Sequence, residues 1–231
     1  TKTWNVPDGT ELPEIITVIL KQNGDKYDTK TVSADDNWAY EWNDLPLYSE
    51  DGKTAYTYTV QEIPVTGFAT TVDGYDIVNT SIHFIVNKVE LGGGEEVEGA
   101  ELTVYEVKED GSLSEVESWT SKKGETHDFG EKLEAGKDYI LRETVAPSGY
   151  AYAIDIEFTV NSDGSISSKT AAAIDENGNE VYLVEDKAIE MVVNKVSAED
   201  GHELYNTLLA VYEVTEDGEQ LVDNWVSRKG E

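Results

Sequence analysis

Short runs in which every second residue is apolar recur along this chain, among them "AYTYTVQE", "ELTVYEV" and "DIEFTV". In an extended strand, side chains at alternate positions share one face, so such runs fit half-buried strands. Between them stand residues that reverse a chain: "NGD" from Asn23, "EDG" from Glu50, Glu109, Glu199 and Glu216, "SDG" from Ser162 and "NGN" from Asn177. No amphipathic helical pattern competes with them. The spacing predicts an all-β chain built as tandem antiparallel β-sandwiches.

An internal repeat divides the chain further. "FIVNKVELGGGEEVEGAELTVYEVKEDG", from Phe84, returns as "MVVNKVSAEDGHELYNTLLAVYEVTEDG", from Met191, and "WTSKKGE" from Trp119 returns as "WVSRKGE" from Trp225. In both copies "VYEV" follows the lysine at the same distance. The second copy then stops. Residues 82–189 therefore read as one complete domain, and 190–231 as the opening strands of another. Residues 1–81 form a shorter relative, because "YTVQEIPVTGF" (58–68) parallels "YILRETVAPSGY" (139–150). A chain that opens on "TKTWNV" and stops at "SRKGE" reads as a piece of something longer.

Strand parity places charged residues where a core should be. Tyr139, Leu141 and Glu143 share a face, as do Tyr58, Val60 and Glu62. The domain-opening strands do the same with lysine. Lys2 aligns with Trp4 and Val6, Lys88 with Ile82, Phe84 and Val86, and Lys195 with Ile189, Met191 and Val193. In the closing strands Asn79 aligns with Tyr75 and Ile77, and Asp186 with Tyr182 and Val184, while Glu185 faces outward. Each complete domain thus carries a lysine, a glutamate and an Asn or Asp, in that order, on inward faces. A lone strand-end lysine ordinarily snorkels to water; the same triple in two domains is a pattern.

Such a triple can make an amide. Burial lowers a lysine pKa and yields the neutral, nucleophilic amine; it raises a carboxyl pKa, so the glutamate stays protonated. A protonated glutamate can polarise the Asn or Asp carbonyl and carry protons from amine to leaving group. Ammonia leaves from Asn, water from Asp. Fixed positioning contributes roughly 7–11 kcal/mol in good intramolecular cases. The rival reading of the same residues is a plain buried Lys–Glu salt bridge.

Composition narrows the partners. The formal net charge of −31 over 231 residues argues strongly against nucleic acid and against an anionic membrane as partners, and reads as a self-repelling, soluble exterior. With no cysteine, neither a disulfide framework nor a thiolate metal site is available. No apolar run reaches transmembrane length, and no signal peptide opens the chain.

The residues quoted above carry a resemblance. "YILRETVAPSGY" resembles the pilin E-box, YxLxExxAPxGY, and "NWAYEWNDLPLYSEDGKTAYTYTVQE" (37–62) resembles the core of collagen-adhesin B repeats. The chain is similar to the Cna B-type, or SpaA-like and prealbumin-like, repeat domains of Gram-positive surface adhesins and pilins. That resemblance implies an isopeptide bond between first and last strands, promoted by an acid: Lys2 to Asn79 with Glu62, and Lys88 to Asp186 with Glu143. Lys195 has neither an E-box nor an acceptor in this chain and is expected to be unpaired. It further implies an extracellular stalk or backbone segment on a Gram-positive cell wall, monomeric, with neighbouring repeats as partners. Neither an LPxTG sorting signal nor a pilin-motif lysine is present, so shaft and stalk both stay open.

Other signals are read as structural. "DENGNE" (175–180) lacks the sixth-position glycine and bidentate glutamate of a calcium loop and reads as a hairpin turn. His83, His127 and His202 have no ligand spacing, and His83 falls on an outward face. Trp119 and Trp225 read as packing residues. No cofactor or metal is expected, and no turnover enzyme. The alternative function is a ligand-binding adhesin domain for host matrix protein or glycan, which an exposed aromatic patch would favour.

Overall fold

The computed structural model describes residues 1–215 and 218–229, and strands carry nearly all of its regular structure. The turn expected from Glu216 and the last two residues of the second "WVSRKGE" thus lie partly or wholly outside the described residues. In the first 81 residues the strands are β1 (Lys2–Asn5), β2 (Ile15–Gln22), β3 (Asp25–Ser33), β4 (Tyr58–Glu62), β5 (Phe68–Asp73) and β6 (Asp76–Ser81). They form two three-stranded sheets, ordered β1-β6-β5 and β3-β2-β4. Asn23 and Gly24, both at positive φ (51° and 94°), make the two-residue turn between β2 and β3, where the twist of paired strands demands such residues. Ile16, Val18, Val32 and Ile77 fill the space between the sheets, with Trp4, Trp38, Trp42, Val60 and Val65 at its margin.

The second sandwich is larger. It comprises β7 (Ile85–Glu90), β8 (Glu101–Val107), β9 (Leu113–Thr120), β10 (His127–Asp128), β11 (Lys137–Val145), β12 (Ile156–Val160), β13 (Ile166–Ser168), β14 (Ala173–Ile174) and β15 (Glu180–Asp186). One sheet runs β10-β7-β15-β14, the other β13-β12-β11-β8-β9. The "DENGNE" segment is the β14–β15 turn, where Asp175 Oδ1 accepts from the amides of Asn177 and Asn179 (both 2.8 Å). Phe84, Phe129, Phe158, Tyr139 and Tyr182 centre the core, with Phe84 stacked on Phe158 at 3.8 Å between ring centroids. Trp119 packs at its edge.

Neighbouring strands are antiparallel with one exception in each sandwich. β1 runs parallel to β6, and β7 parallel to β15. First and last strands therefore lie side by side.

The two sandwiches belong to one compact unit, Thr1–Ala188. Ala69 and Ile82 are buried in the core of the second sandwich, and Gly67 donates its amide to Leu133 O at 2.7 Å. Gly130 sits so close to this crossing that a Cβ there would lie 2.0 Å from Ile82 O.

Residues Ile189–Glu231 form a separate unit whose described strands are the hairpin β16 (Leu208–Thr215) and β17 (Gly218–Val226). The opening strand expected around Met191–Lys195 is not formed: Met191 is 64% and Val192 85% exposed, and only the bridge Val196–Glu203 follows. In both sandwiches the opening strand is held by its closing strand, and the third repeat has none in this chain. Among the described residues no helix is long and apolar enough to cross a membrane.

Candidate functional site

The lysine and its acceptor stand on adjacent parallel strands at a fixed offset. Lys2 is opposite Ile77 on β6, and Asn79 is two residues on; Lys88 is opposite Val184 on β15, and Asp186 is two residues on. Two residues along a strand keep both side chains on one face, so each pair turns inward together. The glutamates come from the other sheet: Glu62 ends β4, and Glu143 lies on β11 opposite Leu102. Each core thus holds its lysine and acceptor on one wall and its glutamate on the facing wall.

All six side chains are buried, Asn79 and Asp186 completely. In the first sandwich Lys2 Nζ is 3.7 Å from Glu62 Oε1 and 3.7 Å above the centre of the Trp4 ring. Burial lowers the Lys2 pKa to about 8, against the opposing pull of Glu62. In the second sandwich Lys88 Nζ lies against Asp186 Oδ1 and 3.5 Å from Glu143 Oε1. Burial raises the Glu143 pKa, and the nearby Asp186 adds to the rise against the hydrogen bond from the Ala153 amide and the charge of Lys88.

Polar atoms at both sites lack hydrogen bonds. Glu62 Oε1, both amide atoms of Asn79, Glu143 Oε1 and both oxygens of Asp186 are buried without a hydrogen-bond partner. Orphans of this kind are uncommon in folded proteins and call for an explanation. The other oxygen of each glutamate is held: Glu62 Oε2 accepts from Thr70 Oγ1 at 2.7 Å, and Glu143 Oε2 from the Ala153 amide at 2.7 Å. Thr70 and Ala153 are not marked by parity or motif; they are found only by the pairing of strands and the path of the loop after β11. Tyr75, aligned inward by parity, is instead 61% exposed in the turn before β6. Lys195 is exposed and far in sequence from any E-box.

His83 faces outward as its parity requires, yet it is not merely solvated. Its Nδ1 is 2.6 Å from Asp128 Oδ2 and its Nε2 2.9 Å from Ser81 Oγ. Asp128 also accepts from the amides of Phe84 and Gly130 at 2.9 Å. These contacts tie the crossing between sandwiches to β10. Among the described residues no cluster of His, Cys, Asp and Glu could hold a metal ion.

Tandem two-sheet modules with parallel first and last strands, each enclosing a lysine, an acid and an acyl side chain, define a class of surface-protein repeat. Residues 1–80 match the Cna protein B-type domain, and residues 82–173 match the SpaA prealbumin-like fold domain. Residues 1–80 and 82–173 thus belong to these two families of repeat domain. Over 80 residues it is 39% identical to a collagen adhesin of Staphylococcus aureus, a match spanning 34% of this chain and 7% of that protein. Its fold also resembles the pilus adhesin SpaC of Lactobacillus rhamnosus GG in the open conformation, at 15% identity and a TM-score of 0.50, covering 98% of this chain and 34% of SpaC.

Proposed function

We propose that this chain is a structural segment of a Gram-positive cell-wall-anchored surface protein, an adhesin stalk or pilus backbone, locked by two self-formed isopeptide bonds. Residues 1–81 and 82–189 are each a bonded module, and residues 190–231 open a third. The orphaned polar atoms at the two buried triads are the observation that carries this reading. A lone buried salt bridge leaves those atoms unanswered; an amide removes the charges and supplies one N–H and one C=O for the glutamate to meet.

The chemistry balances at both sites. Neutral Lys2 Nζ attacks Asn79 Cγ; Glu62 receives a proton from the amine and passes one to the departing amide nitrogen, which leaves as ammonia. Lys88 Nζ attacks Asp186 Cγ; Glu143 gives up its own proton and relays the one lost by the amine, so that a carboxylate oxygen leaves as water and Glu143 ends ionised. Neither step needs a cofactor, and neither turns over.

A tether between Lys and acceptor removes most of each module from the line of tension. Force would pass from Lys2 to Asn79, along residues 79–88, and from Lys88 to Asp186. Single-molecule pulling from the two ends of residues 1–188 tests the role. The expected record shows no unfolding step for either sandwich, and Lys88→Ala adds one step for the loop it frees. A wild-type chain that unfolds stepwise would refute it.

A cavity of about 360 Å³ in the first sandwich, lined by Trp38, Tyr40, Trp42, Tyr58 and Tyr75, favours a second role as a binding domain for host matrix protein or glycan. It has the size and aromatic lining of ligand sites. Tryptophan-fluorescence titration with collagen and with oligosaccharides checks this role; unchanged emission throughout would remove it.

A further inference from the structure

We infer that Thr70 is a positioning residue for bond formation in the first sandwich: its hydroxyl fixes which oxygen of Glu62 carries the working proton. The inference rests on the isopeptide reading above. Thr70 lies on β5 directly opposite Asn79 on β6, and its Oγ1 donates to Glu62 Oε2 at 2.7 Å. It therefore bridges the sheet that carries the acceptor and the strand end that carries the acid. With Oε2 engaged as an acceptor, a proton on Glu62 resides on Oε1. That oxygen has no hydrogen-bond partner and is the one 3.7 Å from Lys2 Nζ.

The second sandwich solves the same problem with backbone. Glu143 Oε2 accepts from the Ala153 amide at 2.7 Å, and Oε1, without a hydrogen-bond partner, is 3.5 Å from Lys88 Nζ. An amide can only donate, so its effect on the carboxyl is unambiguous. Both modules leave Oε1 to the reacting pair and pin Oε2, one by a side chain and one by the main chain. Only in the first can the pin be removed by substitution.

The test follows the mass of freshly synthesised full chain with time. Thr70→Val keeps the shape and removes the donor; Thr70→Ser keeps the donor. Ammonia loss should slow about tenfold or more in Thr70→Val, a share of the ~100-fold or more that a positioned acid–base group contributes. Thr70→Ser should stay within about threefold of wild type on the same ground. Loss of water from the second sandwich, read in the same spectra, should be unchanged in both. Thermal melting in a Lys2→Ala background, where no bond can form in this module, separates chemistry from folding: Thr70→Val loses a buried hydrogen bond there but should still melt cooperatively above the assay temperature.

Equal ammonia-loss rates in wild type and Thr70→Val would overturn the inference. So would a Thr70→Ser as slow as Thr70→Val, or a Thr70→Val chain in the Lys2→Ala background that is already unfolded at the assay temperature. Absence of any ammonia loss from the wild type would instead sink the isopeptide reading beneath it.

Discussion

Lys2 and Lys88 are taken out of water at a cost that ion pairing only partly offsets. The first is left with a pKa of about 8 by burial, so a sizeable fraction of its amine is neutral near neutral pH. The second shares its site with a Glu143 whose pKa is raised, chiefly by burial. Amide formation needs an amine that has lost its proton and an acid that has kept one; the Lys2 shift favours the first in the first sandwich, and the Glu143 shift the second in the other. Ammonia loss from freshly made chain should accelerate as pH climbs from about 6 toward 8, following deprotonation of Lys2; a flat profile would separate the rate from that amine. Glu62→Ala should restore the ammonia to the intact mass and Glu143→Ala the water, each without touching the other module. If either variant retains the wild-type deficit, that glutamate is not the promoter.

At the scale of strands, alternation makes the inward faces of β1, β4, β6, β7, β11 and β15 legible in the sequence. Lys2, Glu62, Asn79, Lys88, Glu143 and Asp186 are all buried, because a sandwich strand has only two faces and the flanking Val, Ile, Leu and Tyr residues choose between them. Alternation says nothing of which strands are neighbours. The parallel pairing of first and last strands, the contact of Thr70 with Glu62 and the clasp of His83 to Asp128 all depend on partners remote in sequence, which periodicity does not encode. Residues 190–231 mark the other boundary: Met191–Lys195 has the pattern of an opening strand, yet among the described residues no strand pairs with it, and pattern without a partner does not make a ladder.

The crossing between the sandwiches invites two tests at this scale. Gly130→Ala would set a Cβ against Ile82 O and His83 Cα, which are backbone and cannot rotate away. It should lower the melting temperature of residues 1–188 well beyond an ordinary surface change, and an unchanged melt would mean that the crossing yields easily. The hydrogen bond that His83 Nδ1 donates to Asp128, helped by the charges of Asp128 and Glu131, raises the His83 pKa above 6.5 despite partial burial. Burial pushes the Asp128 carboxyl up, but hydrogen bonds from His83 and the amides of Gly130 and Phe84 outweigh it and leave it below its ordinary value. A raised histidine stabilises the fold fully below its unfolded pKa and loses that contribution as pH rises through its folded one. His83→Gln should therefore cost more melting temperature at about pH 5.5 than at about pH 9, where the histidine is neutral in both states. An equal cost at both would show that the His83 charge contributes nothing.

Over the whole molecule, two buried lysine–acceptor pairs stand in an acidic, cysteine-free chain, and the proposed bonds would close most of each sandwich into a loop. Covalent closure of a loop of about 100 residues restrains the unfolded chain by about 4–5 kcal/mol on the loop-entropy model. For a domain of about that size, this corresponds to roughly 20 °C or more of melting temperature. Lys88→Ala should lose a shift of that order in the second sandwich and become open to protease; near-normal resistance would count against a bond there. The net charge of −31 makes copies of the chain repel one another and anionic surfaces, in keeping with the proposed spacer role. The most direct test is the intact mass of the purified wild-type chain against the mass of its sequence. One ammonia plus one water missing is the predicted result, and a mass equal to that of the sequence would contradict the account at its centre.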